Sequence, residues 1–161
     1  MNQFEEAVLN YLCGSPDRFV NAQFTIPYDG FKGGSCPDFI VLDFGDGSVY
    51  VIEITSASNT KDIQVKIGER KTRWLIPLQK HLAKLGPIFS NWEYHVTVFI
   101  RGEEYENAQK KLEDQPDVSV ISLDSVVFPW RWKWENAQPI NPLRETGKGR
   151  AKCVETGPTK E

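Results

Sequence analysis

The spacing of apolar residues predicts a helix and then strands in the first third of the chain. From Gln3 to Leu12 apolar side chains recur at helical spacing, and Gly14-Ser15-Pro16 ends the segment. Residues Phe19–Tyr28 contain a predicted strand centred on Phe24–Ile26. The next stretch, Lys32–Cys36, is rich in glycine, and we expect it to form a mobile loop.

Two apolar runs near the middle of the chain give the clearest strand signal. Phe39–Leu42 and Val49–Ile52 are apolar at consecutive positions, and Gly45-Asp46-Gly47 lies between them. Turn residues between two such runs predict a β-hairpin. Because polar residues do not alternate within either run, we expect both strands to be covered on both faces at the centre of a sheet.

The second half predicts a long helix, followed by a strand, a helix and a strand. Asn59 or Thr60 can cap the long helix, which continues to about Leu85 and stops at Gly86-Pro87. Pro77 lacks the N–H that a helix interior needs, so we expect a kink or split just before it. The later elements are a strand at Tyr94–Ile100, a helix at Glu103–Glu113 and a strand at Val118–Leu123.

The order of these elements is helix, three strands, helix, strand, helix, strand. It predicts an α/β domain over residues 1–135 with a mixed central sheet flanked by helices, whose first strands form a meander. The Trp130–Trp134 run alternates aromatic and basic residues. Stacking on unpaired bases and covering a sheet edge or partner surface both remain open for it. Residues 136–161 are polar and aperiodic, which predicts a flexible tail.

Composition narrows the class of protein. The 161 residues are 40 % apolar. They contain no run of about 18 apolar residues, so we expect a globular domain without a membrane span. The acidic N-terminus lacks the features of a signal peptide, which predicts a cytoplasmic protein. Cys13, Cys36 and Cys153 are far apart, which argues against a disulfide framework or structural zinc.

Charge is distributed unevenly along a chain whose net charge is −3. The stretch Lys61–Lys84 contains seven Lys and Arg residues and two acids, so it carries a net charge of +5. This stretch coincides with the predicted long helix. It could present Arg70, Lys71 and Arg73 to a phosphate backbone, or simply form a solvated helix face.

Two carboxylates stand at the ends of the apolar runs, Asp38 before the first and Glu53 after the second. Side chains alternate along strands, so two-residue turns at Gly45-Asp46 and at Asp46-Gly47 both put Asp38, Glu53 and Thr55 on one face. A three-residue loop without a bulge would not. Two such carboxylates repel and lose hydration unless a cation lies between them. Mg²⁺ or Mn²⁺ suits hard oxygen ligands. Alternatively, both acids reach solvent from strand ends.

The pattern Pro37-Asp38, fourteen residues, then Glu53-Ile54-Thr55 resembles the PD-(D/E)xK nuclease motif. That superfamily includes restriction endonucleases and archaeal Holliday junction resolvases. The resemblance implies a restriction-endonuclease-like αβββαβ core and a metal-dependent endonuclease that hydrolyses phosphodiester bonds in duplex or branched DNA. Related folds often act as dimers, so a homodimer is also implied.

The resemblance also implies roles for individual residues. Asp38 and Glu53 would bind Mg²⁺ or Mn²⁺, and the backbone carbonyl of Ile54 would add a ligand. The family often places a further glutamate on its first helix, and the apolar spacing that follows Glu5 favours it over Glu6.

Thr55 departs from the family pattern, because a lysine is expected there. Some relatives supply this lysine from the following helix. Lys66 is the preferred candidate, because Gln64 lies beside it and some members of the superfamily use a glutamine on this helix. Lys61 and Lys71 are the alternatives. If none replaces the missing charge, the chain is a catalytically inactive nuclease-fold module that binds nucleic acid or a protein partner.

Overall fold

The computed structural model describes residues 1–28, 31–56 and 61–127. They form an α/β fold with a five-stranded mixed sheet flanked by helices, as the sequence predicts. The elements are α1 (Gln3–Leu12), β1 (Arg18–Ala22), β2 (Ile26–Tyr28), β3 (Phe31–Ser35), β4 (Phe39–Asp43), β5 (Ser48–Thr55), α2 (Lys61–Gly68), a π-helical segment (Lys71–Leu75), α3 (Ile76–Leu85), a 3₁₀ segment (Pro87–Asn91), β6 (Glu93–Ile100), α4 (Gly102–Leu112), β7 (Val118–Ser122) and α5 (Leu123–Val127).

The strand order of the main sheet is β1-β4-β5-β6-β7. Strand β4 runs antiparallel to both of its neighbours, β1 and β5, whereas β5, β6 and β7 run parallel to one another. The predicted meander is therefore present, but its first two strands are separated along the chain by the small β2–β3 hairpin.

Strands β4 and β5 are buried on both faces, which confirms the prediction from their continuous apolar runs. Val49 and Val51 pack into the cluster beneath α2, the π-helical segment, α3 and α4. Tyr50 and Ile52 point the other way, into the cluster beneath α1 and α5. Alternate side chains of one strand therefore fill two cores, one on each side of the sheet.

The predicted long helix is split, as expected from its proline. Pro77 lies in the first turn of α3, and the π-helical segment Lys71–Leu75 directly precedes this helix. The fully buried Trp74 anchors this irregular segment, because its Nε1 donates a 2.8 Å hydrogen bond to Ser35 Oγ. The predicted caps Asn59 and Thr60 lie outside the described residues.

The prediction of a strand at Phe24–Ile26 was wrong for Phe24 and Thr25, because only Ile26 lies in a strand, as the first residue of β2. Strand β1 lies earlier, at Arg18–Ala22, because it pairs with β4 across a register that sets Arg18 opposite Asp43. Arg18 Nε donates to Asp43 Oδ2 at 2.9 Å. A long-range ion pair and sheet pairing thus override the local apolar pattern.

The predicted mobile loop at Lys32–Cys36 was also wrong, since most of it belongs to strand β3. Gly34 has a φ of +70°, and a Cβ at this position would lie 2.7 Å from the carbonyl oxygen of Ile26. Glycine here permits close pairing with β2 rather than loop mobility.

The remaining elements match the predictions closely, except that α5 was not predicted. Within residues 1–28, 31–56 and 61–127, no helix is long and apolar enough to cross a membrane. The Trp130–Trp134 run and the predicted tail at residues 136–161 lie outside the described residues.

Candidate metal centre

The β4–β5 hairpin brings the two predicted carboxylates together. Its ladder pairs Phe39 with Ile52, and one further step sets Asp38 opposite Glu53. This is the register predicted for a turn centred on Gly45-Asp46, although the connection contains the four residues Phe44–Gly47 rather than two. Gly47 adopts a φ of +67°, which glycine tolerates without strain.

The sheet directs these carboxylates toward the α2 face. Ile40 and Val51, which alternate with Asp38 and Glu53 along their strands, belong to the core beneath α2 and α3. The two acids therefore lie on the face of the sheet that α2 and α3 cover. Glu5 lies on α1, which packs on the opposite face of the sheet.

Asp38 is half-buried and held by the neighbouring strand. Its Oδ2 accepts a 2.7 Å hydrogen bond from the backbone N–H of Ile54. Burial raises the pKa of Asp38 above its ordinary value of 3.8, while the Ile54 hydrogen bond acts in the opposite direction. The charge of Glu5 adds to the rise and that of Lys66 reduces it.

Glu53 is only 5 % exposed, and its Oε2 accepts a hydrogen bond from Lys66 Nζ at 2.7 Å. Burial raises the pKa of Glu53 above 4.5 even though Lys66 opposes the shift. The charge of Asp38 raises this pKa further, whereas Arg73 lowers it. The protein therefore only partly stabilises two neighbouring carboxylates in their charged form.

Lys66 projects from α2 toward Glu53 because Ile63 and Ile67 bury the inner side of this helix. The lysine selected from the sequence thus contacts a predicted metal ligand. Thr55 is half-buried at the end of β5 and carries no charge. The alternative Lys71 acts instead on the pKa of Asp117.

Glu5 is near Asp38 but is engaged at the end of its own helix. Its Oε2 accepts from the backbone N–H of Asn2 at 3.0 Å, and its Oε1 accepts from Asn2 Nδ2 at 2.7 Å. These contacts complete a capping box at the start of α1. A role as a metal ligand, which stays a prediction, would require Glu5 to give up part of this cap. Glu6 is exposed.

The basic residues proposed to contact DNA occupy different surroundings. Arg70 donates to Asp117 from Nε at 2.7 Å and from Nη2 at 2.6 Å, and its Nη1 donates to the carbonyl of Ile67. The Arg70 guanidinium lowers the pKa of Asp117. The charge of Arg73 instead acts to lower the pKa of Glu53. The neutral Gln64 is half-buried on α2.

The donor set fits a hard, hydrated cation. Among the described residues, no group of three or more His, Cys, Asp or Glu side chains is placed to hold a metal. Mg²⁺ commonly keeps several waters and binds proteins through one or two carboxylates, so Asp38 and Glu53 match its requirements. A structural zinc, which takes four N or S ligands, does not fit.

A second feature, missed in the sequence, lies at the other end of the same hairpin. Phe44 in the turn makes edge-to-face ring contacts with Phe19, Phe89 and Trp92, at centroid distances of 5.3, 6.4 and 4.8 Å. Phe19 is 64 % exposed. An apolar cleft of about 270 Å³ adjoins this cluster between β1, β4 and α3, and no acid of the described residues lines it. The cleft is therefore distinct from the candidate metal centre.

No model of a known protein family matches the chain, and no curated protein is significantly similar to it.

Proposed function

We propose that this domain is a metal-dependent endonuclease that hydrolyses phosphodiester bonds in duplex or branched DNA. The observation that carries the proposal is that Asp38 and Glu53 are neighbours on one hairpin, with Lys66 bonded to Glu53. The similarity of Pro37-Asp38 and Glu53-Ile54-Thr55 to the PD-(D/E)xK motif supplies the reaction class.

The order of the elements supports the same assignment. Helix α1 precedes the antiparallel strands β1, β4 and β5, and helical segments then lead to β6, which runs parallel to β5. When the β2–β3 hairpin is set aside, this is the αβββαβ order of the restriction-endonuclease-like core. Because one fold can host many functions, the two carboxylates and Lys66 carry the assignment of activity.

Asp38 and Glu53 would hold Mg²⁺ or Mn²⁺, and the Ile54 carbonyl is the expected additional ligand. When bound, the metal would activate water and stabilise charge on the phosphodiester. Burial raises the pKa values of both carboxyls despite the charge of Lys66, and a cation between them would favour their charged forms.

Lys66 would take the part of the lysine that Thr55 cannot. Its ammonium lies 2.7 Å from Glu53, so it can orient an attacking water and stabilise negative charge on the phosphate. The water oxygen forms a bond to phosphorus as the bond to the 3′ oxygen breaks. One proton of that water passes to solvent, and the leaving 3′ oxygen gains a proton.

The test is cleavage of supercoiled plasmid, single-stranded DNA and a four-way junction in Mg²⁺ or Mn²⁺. Wild type should cut at least one substrate. Asp38→Asn and Glu53→Gln should lose at least about 10³-fold in rate, because each removes a charge from the metal site. Lys66→Met should lose about 10²-fold, as expected for a group that assists proton transfer or orients water.

Asp62→Asn serves as a matched control, since it removes an exposed carboxylate from the first turn of α2 and should leave cleavage unchanged. Mn²⁺ binding, followed by electron paramagnetic resonance, provides a readout that does not depend on catalysis. If wild type binds Mn²⁺ and DNA but cuts no substrate, the proposed endonuclease activity is contradicted.

That last outcome would favour the second candidate, an inactive nuclease-fold module that binds nucleic acid or a protein. The specific observation in its favour is Thr55, which leaves the family's lysine position at the end of β5 without a charge.

A further inference from the structure

Strand β1 forms one edge of the five-stranded sheet. Within residues 1–28, 31–56 and 61–127 it pairs with β4 alone, so its other edge is open. Just beyond β1, the Gln23 N–H donates to the Asp38 carbonyl at 3.0 Å. This bond makes the odd-numbered residues of β1 those that bond to β4, because bonded pairs alternate along an antiparallel ladder. Val20 and Ala22 therefore direct their N–H and C=O groups toward the open edge.

The apolar cleft of about 270 Å³ lies beside this edge, between β1 and α3. Phe19 and Val20 of β1 line one side, and the other side is lined by leucines of α3, among them Leu82 and Leu85. Phe19 and Leu85 are 64 % and 69 % exposed, so the rim of the cleft is accessible. An apolar cavity of about 150 Å³ can hold benzene, so this cleft can accept one leucine or aromatic side chain. We call the open edge and the cleft together the β1–α3 groove.

The walls of the β1–α3 groove carry positive charge. Helix α3 contains the exposed Lys80 and Lys84 and no acid. Lys84 lies one turn beyond His81, which lines the cleft, so the two side chains are neighbours on the helix surface. The one charged residue of β1 is Arg18, which is bonded to Asp43. An acidic ligand therefore complements the charge of this groove.

We propose that the β1–α3 groove binds an extended acidic segment of a partner protein, which adds a strand to β1 and inserts an apolar side chain into the cleft. The outward N–H and C=O groups of Val20 and Ala22 complement a peptide backbone, which favours a peptide over a nucleic acid. Side chains alternate along a strand, so every second residue of the bound segment faces α3.

Two other features of the molecule bear on this assignment. A second copy of this chain complements the groove less well, because symmetric pairing of two β1 edges would bring two positively charged α3 helices together. The groove is also separate from Asp38 and Glu53, since no acid of the described residues lines the cleft. The inference therefore does not depend on the proposed function.

The experiment selects ligands for the full chain from a phage-displayed library of random linear peptides. The selected peptides are then synthesised, and their affinity is measured by fluorescence anisotropy. They should be acidic and have apolar residues at alternate positions. Leu85→Glu should weaken their binding at least about tenfold, because it places a like charge on the apolar rim. Lys84→Gln should weaken binding about threefold and reduce its dependence on salt.

A proline substitution tests the added strand separately from the cleft. Ala22 is exposed, and proline is tolerated on an edge strand where the N–H that it removes faces outward. Ala22→Pro should weaken peptide binding about tenfold, because one backbone hydrogen bond is lost. Ala22→Ser keeps the N–H and should bind like wild type. Lys111→Gln, on α4, is the control for general charge and should also bind like wild type.

The proposal is overturned if the library yields no ligand, or if the selected peptides bind Leu85→Glu and Ala22→Pro as tightly as wild type. A wild-type dimer in sedimentation that Leu85→Glu dissociates would assign the groove to a second copy instead. Single-stranded DNA that competes with the peptides would assign it to a nucleic acid. If urea denaturation shows that Ala22→Pro is unfolded, the exposed Leu85 still decides the outcome. Leu85→Glu should keep the Mn²⁺ affinity of wild type, because the groove is separate from the carboxylates.

Discussion

The two ends of the β4–β5 hairpin both bury carboxylates, but the protein stabilises them differently. Asp43 accepts from Arg18 Nε at 2.9 Å and from the Gly45 backbone N–H at 3.1 Å, and both side chains of the ion pair are less than 10 % exposed. At the other end, Asp38 accepts from the Ile54 backbone N–H and Glu53 accepts from Lys66 Nζ, and burial raises the pKa of each carboxyl.

The difference separates a structural charge from a candidate functional one. Asp43 has a cation of its own, and its contacts connect β1, β4 and the turn. The pair Asp38 and Glu53 carries more negative charge than its immediate hydrogen-bond partners neutralise. Perturbed carboxyls of this kind cluster at functional sites, because their cost to folding is offset by a ligand or a reaction.

The largest change in stability should come from the end of the hairpin where Asp43 pairs with Arg18. Asp43→Ala leaves Arg18 buried without its carboxylate and should lower the free energy of unfolding by about 3–5 kcal/mol. Urea denaturation followed by circular dichroism measures this change. Glu53→Gln is the comparison, and it should cost much less without metal. Similar losses for the two variants would remove the distinction between the two ends.

Addition of metal should stabilise the domain through the end of the hairpin that carries Asp38 and Glu53. At a Mg²⁺ or Mn²⁺ concentration one hundred times its dissociation constant, wild type should gain about 2.7 kcal/mol, visible as a rise in melting temperature. Glu53→Gln and Asp38→Asn should abolish this rise, because the cation loses a carboxylate. Chelation with EDTA should return wild type to its initial melting temperature. Asp43→Asn, if it folds, should retain the metal response.

Without metal, the pair Asp38 and Glu53 should make the stability of the domain depend on pH in the opposite direction from Asp117. Because the pKa values of Asp38 and Glu53 are raised, their contribution is fully present below 3.8 and 4.5 and is lost as pH rises through their folded values. Relative to wild type, the double variant Asp38→Asn with Glu53→Gln should therefore gain stability as pH rises toward neutral.

Asp117 provides the opposite case in the same measurement. Arg70 lowers its pKa, so its contribution is present above 3.8 and is lost as pH falls through the folded value. Asp117→Asn should thus reduce stability at neutral pH and lose this effect in acid. If the stability of the two sets of variants changes with pH in the same direction, the opposite pKa shifts of these carboxyls are contradicted.

The smallest change in stability should come from the exposed ion pair between Glu69 and Arg73. Glu69→Gln should change the free energy of unfolding by less than about 0.5 kcal/mol, since exposed pairs four residues apart contribute little. The measurement is urea denaturation at low and high salt. A loss of several kcal/mol would contradict the expectation that this exposed pair contributes little to stability.

Much of the candidate site follows from local sequence. The apolar runs on both sides of Gly45-Asp46-Gly47 predict the hairpin, and strand alternation then predicts a shared face for Asp38 and Glu53. The sequence also predicts Lys66 as the replacement for the lysine of the PD-(D/E)xK motif, and Lys66 is the cation bonded to Glu53. The functional role of this group remains a prediction.

Other features depend on contacts between distant parts of the chain. The glycines of Lys32–Cys36 have the composition of a loop, and only the pairing of β3 with β2 makes them a strand. The start of β1 follows from the Arg18–Asp43 pair rather than from the apolar residues around Phe24.

By itself, the sequence predicted the α/β class, the central hairpin and, for both two-residue turns, a shared face for its carboxylates, because side-chain alternation acts over a few residues. Only the tertiary structure decided which cation each acid receives. Lys66 and Arg70 are four positions apart, yet one is bonded to Glu53 and the other to Asp117. Charge pairing depends on distance in space, which packing fixes after the local elements have formed.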